Sequence, residues 1–301
     1  MKTYQNRIIP LLVIVIAVIA ILVVSAYNPM TGETEEGGQI VVSPPIPETL
    51  SFADEPVPLW DEDTRERLDR ELITNTYFHS STIQLLKLKA RWEPVILPIL
   101  RQEGVPEDMI YLAAAESGFR MVASPKGAAG FWQILDGTAK ELGLIVNDDI
   151  DQRYDVGLST RAACTYLKDA YEKLGSWTLV MASYNAGISR IEDAVAHQKE
   201  TDYYKLYLNE ETLRYVFRIL ALKTILSNPE AYGFFLNDED LYPVPGTDTL
   251  PVDTAVTDLV GFASRFHLSY YQLRKYNPWI RAPKLPATGD TLYIVIPAST
   301  K

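Results

Sequence analysis

From Met109 to Ala115 the chain reads Met-Ile-Tyr-Leu-Ala-Ala-Ala, and Glu116 follows at once. A helix made from this run has no polar face to offer water, so it must lie inside a shell of other elements. Glu116 then emerges from a core rather than from a surface. That requirement constrains the fold more than any other segment does.

The shell is legible in the flanking sequence. From Asp61 to about Asn228, helix signals follow one another without strand-like alternation. Asp61-Glu62-Asp63 marks a start, Ile83, Leu86, Lys87 and Ala90 fall at helical spacing, and Gly104-Val105-Pro106 breaks the run. Helices are predicted over 106–117, 138–142 and 158–174, the last ended by Gly175, then from Ser176 as a cap through Tyr184, and over 210–227. The expected body is all-α, spanning 61–240. After Asn228-Pro229 the pattern changes. A strand over 249–252, a helix carried by Leu259, Phe262, Ala263 and Phe266, a second helix over 270–276 capped by Ser269 with Gln272, and a strand over 292–296 give a strand-helix-helix-strand module over 247–298. The overall class is therefore α+β.

Ahead of the body, Ile8 to Val24 is apolar apart from Pro10, long enough as a helix to approach the thickness of a bilayer core. Lys2 and Arg7 precede it and Glu33, Glu35 and Glu36 follow, a polarity that puts the N-terminus in the cytoplasm and the remaining chain across the membrane. Residues 1–27 are expected to be an uncleaved membrane anchor in preference to a cleaved signal, for which Val24-Ser25-Ala26 would be the processing site. Gly37-Gly38 and the prolines at 44, 45, 47, 56 and 58 predict an extended linker over 28–60 with no regular structure.

Composition narrows the chemistry. The formal net charge is −11, against nucleic acid as a partner. One cysteine, Cys164, allows no internal disulfide, and three scattered histidines argue against a zinc enzyme, so neither metal nor cofactor is expected. Nothing in the sequence sets an oligomeric state. Carboxylates, hydroxyls, amides and 18 tyrosines remain to do the work. Among the carboxylates Glu116 stands apart. Gly118 ends its helix, the negative end of a helix dipole disfavours an anion there, and burial acts in the same direction, so its pKa is expected to be raised. A carboxylic acid kept protonated near neutrality suits the proton donor for a glycosidic bond; the other reading is a structural Glu paired with an Arg.

Three segments then resemble a known family: Ala115-Glu116-Ser117-Gly118-Phe119, Ser124-Pro125-Lys126-Gly127-Ala128-Ala129-Gly130-Phe131-Trp132-Gln133, and Ala182-Ser183-Tyr184-Asn185-Ala186-Gly187. Glu211-Thr212-Leu213-Arg214-Tyr215-Val216 is a fourth. Their order and spacing are similar to the lytic transglycosylases of the goose-lysozyme-like glycoside hydrolase family, most closely the membrane-bound D type, over about 60–228. The resemblance implies a lysozyme-like domain acting on peptidoglycan strands at the periplasmic face of a bacterial membrane. It aligns Glu116 with the single acid/base, and Ser117, Ser124, Gln133, Tyr184, Asn185 and Tyr215 with substrate-binding positions. Gln133 offers both a donor and an acceptor to a sugar. Ordinary glycosidases need two carboxylates. The candidates Asp148, Asp149, Asp151 and Asp155 read better as a polar loop around an Arg–Asp pair at Arg153 than as a calcium loop. The resemblance instead implies that the substrate's own acetamido oxygen assists and that a 1,6-anhydro sugar forms. A hydrolytic muramidase and a non-catalytic wall-binding protein are the alternatives. The 247–298 module resembles a LysM domain through Asn277-Pro278-Trp279 and the closing Leu-Tyr-Ile-Val-Ile-Pro, although its Gly-Asp-Thr-Leu stands at 289–292 rather than at the opening. Its alternative is a structural cap on the helical body.

Overall fold

The computed structural model describes residues 41–298. The apolar run at 8–24 and the cleavage site at 24–26 lie outside them, and no helix among the described residues is long and apolar enough to cross a membrane.

The central feature is α3 (Ile110–Ser117), apolar up to Ala115 and entered through a 3₁₀ turn at Glu107–Met109. Leu112 and Ala113 have no exposed surface, as a helix without a polar face demands. Gly118 ends it in the left-handed region at φ +60, and its N–H returns to the Ala114 carbonyl. Around α3 stand α1 (Glu62–Tyr77) and α2 (His79–Gln102) from earlier in the chain. Later come α4 (Asp136–Glu141), α5 (Val156–Leu174), α6 (Trp177–Ala186), α7 (Ile188–Gln198) and α8 (Glu210–Ser227). α3 packs against α8 and α2, while α8 also rests on α1 and α6.

The helix starts are made by short polar side chains. The carboxylate of Asp61 accepts from the Thr64 N–H and hydroxyl, that of Asp155 from the Leu158 N–H, and the amide oxygen of Asn209 from the Thr212 N–H. α6 takes its start from two sources, Ser176 as the cap and a carboxylate from far earlier in the chain.

That carboxylate corrects the reading of the Pro-rich segment as structureless. Residues 51–56 form a small hairpin, β1 (Ser51–Phe52) with β2 (Glu55–Pro56). Phe52, Val57 and Leu59 are buried in the body's core. Glu55 accepts from the N–H groups of Trp177 (2.6 Å) and Thr178 (2.9 Å) and from the hydroxyls of Ser176 and Thr178. The prolines restrict the backbone, but burial of three apolar side chains and a capped helix terminus outweigh that preference. The body is also not helical throughout: between α3 and α4 the chain folds on itself through bridges pairing Ala123 with Ala129 and Ala129 with Ile134.

Beyond Pro245 the module pairs β3 (Thr247–Val252) antiparallel with β4 (Leu292–Pro297), with Val252 opposite Leu292. Between them lie α9 (Leu259–Arg265) and α10 (Tyr270–Tyr276). Ser269 and Gln272 form the expected capping box on α10. Along β4, Leu292 and Ile294 are buried and Tyr293 is exposed, the two-residue alternation of a strand with one covered face. Buried Asn277 joins the end of α10 to β4, donating to the Val295 carbonyl (2.6 Å) and accepting from the Val295 N–H (2.7 Å).

Candidate active site

Glu116 occupies the last turn of α3, half-buried, with its carboxylate at the end of an apolar helix. Burial pushes its pKa up to about 7. Two influences act against burial and lose: a hydrogen bond from the phenol of Tyr215 to Glu116 Oε1, and the positive charge of Arg218. The predicted proton donor is therefore poised between its acid and carboxylate forms near neutrality, the condition under which a group both gives and takes a proton efficiently. The hydrogen-bonded partner of Glu116 is a phenol, and the arginine that acts on it, Arg218, does so through its charge.

Tyr215 reaches Glu116 from α8, where it is buried. Its own ionisation is pushed well up, first by burial and then by the negative charge beside it, so it stays a donor. Tyr184, on α6, is held by a 2.7 Å hydrogen bond from its hydroxyl to the Trp132 carbonyl and packs edge-on against Tyr166 at 5.4 Å. Burial raises its pKa too, with the charge of Glu116 as the next cause, which puts Tyr184 within electrostatic reach of the carboxylate.

Gln133 lies in the turn between Gly130 and α4 with φ +48, and shares a hollow with Tyr184, Tyr166 and Thr138. Its amide N–H₂ donates to the carbonyls of Val122 (2.9 Å) and Gly130 (2.8 Å). Both donors are thus committed to the backbone, and the amide oxygen is what Gln133 has left for a ligand, half of the donor-and-acceptor pair expected from its side chain. Ser124 begins the same loop. Its N–H donates to the Ala128 carbonyl and its hydroxyl accepts from the Ala128 N–H at 3.1 Å. Asn185, next to Tyr184, is tied to the first turn of α8, accepting from the Thr212 hydroxyl at 3.0 Å. Ser117 is buried, and its hydroxyl turns back to the Ala113 carbonyl at 3.2 Å, unlike the other predicted positions.

Glu116 and Tyr215 are thus in contact, Tyr184 and Gln133 share one hollow, and Ser124 and Asn185 stand on the segments that carry these groups. Sequence reasoning did not single out Arg218, although it stands three residues after Tyr215 and so on the same side of α8. Nor did it single out Trp132 as the residue whose carbonyl holds Tyr184. Among the described residues, no group of three His, Cys, Asp or Glu side chains is gathered to hold a metal ion.

Comparison with known proteins places these features in families. Residues 95–207 match the transglycosylase SLT domain and residues 248–300 match the soluble lytic transglycosylase C-terminal LysM-like domain. The membrane-bound lytic murein transglycosylase D of Escherichia coli K12 is 32% identical over 245 residues, covering 77% of this chain and 51% of the relative. The chain thus spans about half the length of the curated relatives it matches. Among solved structures, an inactive mutant of lytic transglycosylase Slt from Pseudomonas aeruginosa aligns over 50% of this chain and 26% of its own, at 21% identity and TM-score 0.36. The 70 kDa soluble lytic transglycosylase of Escherichia coli aligns at 23% identity and TM-score 0.35, over 50% of this chain and 25% of its own. The segment holding Glu116, Ser124, Gln133, Tyr184 and Asn185 is thus similar to the transglycosylase SLT domain, and the module that follows it is similar to the C-terminal LysM-like domain of soluble lytic transglycosylases.

Proposed function

We propose that the protein is a lytic transglycosylase that cuts the β-1,4 bond between N-acetylmuramic acid and N-acetylglucosamine in peptidoglycan, with Glu116 as the single acid/base. The observation that carries this reading is a carboxyl group whose pKa burial raises to about 7 and which a tyrosine phenol bonds. The SLT-domain match and the relative named for murein transglycosylase activity support it.

In the proposed reaction Glu116 gives its proton to the bridging oxygen as the bond to C1 breaks, while the neighbouring acetamido oxygen of the sugar stabilises C1. Glu116, now a carboxylate, takes the proton of the C6 hydroxyl, whose oxygen closes on C1. A 1,6-anhydro ring forms and no water is consumed. Tyr215 holds the carboxyl in place and donates to it most strongly when it is charged. Ser124 and Asn185 orient the acetamido group, Gln133 accepts from a sugar hydroxyl or amide, Tyr184 forms the wall beside the reacting sugar, and Ser117 borders Glu116. The LysM-like module engages N-acetylglucosamine-containing strands, residues 1–27 hold the chain on a membrane, the part of the linker ahead of the hairpin at 51–56 tethers it, and the body works on the periplasmic side.

Digestion of purified peptidoglycan with mass analysis of the muropeptides tests the reaction. Anhydro ends, one water lighter than reducing ends, are expected. Reducing ends alone would establish hydrolysis instead, and undiminished activity in a Glu116→Gln variant would remove Glu116 from either reaction.

A further inference from the structure

The C-terminal module is joined to the helical body at the loop 147–155, and the join leads to the cleft. Asp151 donates its N–H to the Trp279 carbonyl and Arg281 donates its own to the Asp149 carbonyl, both at 2.8 Å, on either side of an antiparallel bridge between Ile150 and Ile280. The Arg281 guanidinium lies over the Tyr154 ring, 4.4 Å from its centre. Ile150, Tyr154 and the cleft-loop residue Ala129 are buried in one apolar cluster with Leu273, Trp279 and Ile294 of the module.

From this join a buried fork runs to the sugar-facing loop. Arg153 grips the Asp151 carboxylate through Nε (2.9 Å) and Nη2 (2.7 Å), while its Nη1 donates to the carbonyls of Gly127 (2.8 Å) and Ile134 (3.2 Å). Both residues are buried. Those two carbonyls flank the six-residue stretch 128–133 that ends in Gln133, and Gly127 stands three residues after Ser124. The contact is tight along its length: a Cβ added to Gly130, which sits at φ +78, would fall 1.8 Å from the Arg153 carbonyl oxygen.

We infer that the C-terminal module is a working part of the cleft, acting through Arg153 as a positioning residue that fixes the loop carrying Ser124 and Gln133. The inference rests on the proposed sugar-binding role of that loop. The loop 122–134 has no helix of its own; its internal bridges tie it to itself, and the Arg153 fork is what ties it to the 147–155 loop. A guanidinium is suited to the task because its planar fork engages a carboxylate and two carbonyls at fixed angles, which a lysine ammonium, a compact charge on a flexible stem, does not do. Because Asp151 contributes its N–H to the module and its carboxylate to Arg153, loosening the module loosens the fork.

The test uses the full chain with two variants, Arg153→Lys in the fork and Ile280→Ala on the module side. Hydrogen exchange followed by mass spectrometry and steady-state kinetics on soluble peptidoglycan strands are both read. Exchange over 122–134 is expected to quicken roughly tenfold in either variant while α8 keeps its wild-type rates. The ratio kcat/KM is expected to fall about tenfold, mainly through KM, with the pH profile governed by Glu116 unmoved. Unchanged exchange over 122–134 in Arg153→Lys, which keeps the charge and most of the volume, would overturn the inference whatever Ile280→Ala does. So would faster exchange with wild-type kcat/KM. A wild-type protein that yields no anhydro ends but shows the exchange response would overturn the proposed function and leave the coupling of module to loop supported.

Discussion

Tyr215 donates its phenolic hydrogen to Glu116 across 99 residues of sequence, from the middle of α8 to the last turn of α3. The bond works against the burial that raises the carboxyl, and the balance of the two sets the proton affinity of the group. Removing one side of the balance has a defined direction. In Tyr215→Phe the charged form of Glu116 loses its donor, so the alkaline limb of the kcat/KM profile moves upward from about 7. Turnover at the optimum falls at the same time, by about tenfold, because the carboxyl loses an orienting bond. A pH-rate profile of both proteins checks the shift; a limb that moves downward would contradict this account.

Glu116→Gln separates chemistry from stability. Turnover drops by roughly two to four orders of magnitude with the loss of a general acid. The fold responds with the opposite sign. Glu116 is raised when folded to about 7, so between the ordinary carboxylate range and that value the folded chain holds a proton that the unfolded chain has released. Stability from this group is full below the unfolded pKa and is lost as pH rises through the folded one. The uncharged amide escapes that loss. The melting temperature of Glu116→Gln relative to wild type therefore increases from about pH 4 to about pH 8 and is level beyond, which thermal melts across the range measure.

Glu55→Ala tests the join between the hairpin and α6. Two backbone N–H groups and two hydroxyls lose their acceptor at once. Ser176 still caps the helix, so the expected cost is about 1–3 kcal/mol rather than loss of the fold. Urea unfolding reports it as a lower midpoint at unchanged slope. Glu55→Gln recovers part of it, since an amide oxygen still accepts.

Gly130→Ala places a methyl group where the Arg153 carbonyl stands and imposes a left-handed backbone on a residue with a side chain. The combined strain and displacement cost about 2–4 kcal/mol. Gly127→Ala is the control: it shares the positive φ, but its Cβ meets nothing within 4 Å, so it costs only the backbone preference, about 1 kcal/mol. Chemical denaturation of the two variants separates contact from conformation.

Local rules carried much of the fold. The bounds of α10 follow from Ser269 as its cap, those of α8 agree with the helix predicted over 210–227, and the buried α3 with its Glu116 follows from seven residues without a polar face. α7 is missing from the sequence reading although Ile188, Ile191 and Val195 form an apolar stripe at i, i+3 and i+7 that helical spacing could have shown. The hairpin at 51–56 offered no such signal: two-residue strands have no periodicity, and what holds them lies elsewhere in the chain. At the site, burial of Glu116 was readable from its own helix, whereas its meeting with Tyr215 came from family resemblance. The Arg153–Asp151 pair was expected as a polar loop feature and is present; its grip on the Gly127 and Ile134 carbonyls is a tertiary fact with no local signature.

The hairpin also has a place in time. It leaves the ribosome before every helix of the described body, yet its partners are made late: Ser51 accepts from Lys223, 172 residues on, and Glu55 waits for the start of α6. Ala53 also donates its N–H to Asp108, 55 residues on, and contacts of such wide sequence separation are slow to close. The segment that looks like a passive tether in the sequence therefore closes chain loops of 55 to 172 residues, and the entropy of those loops is set against its docking.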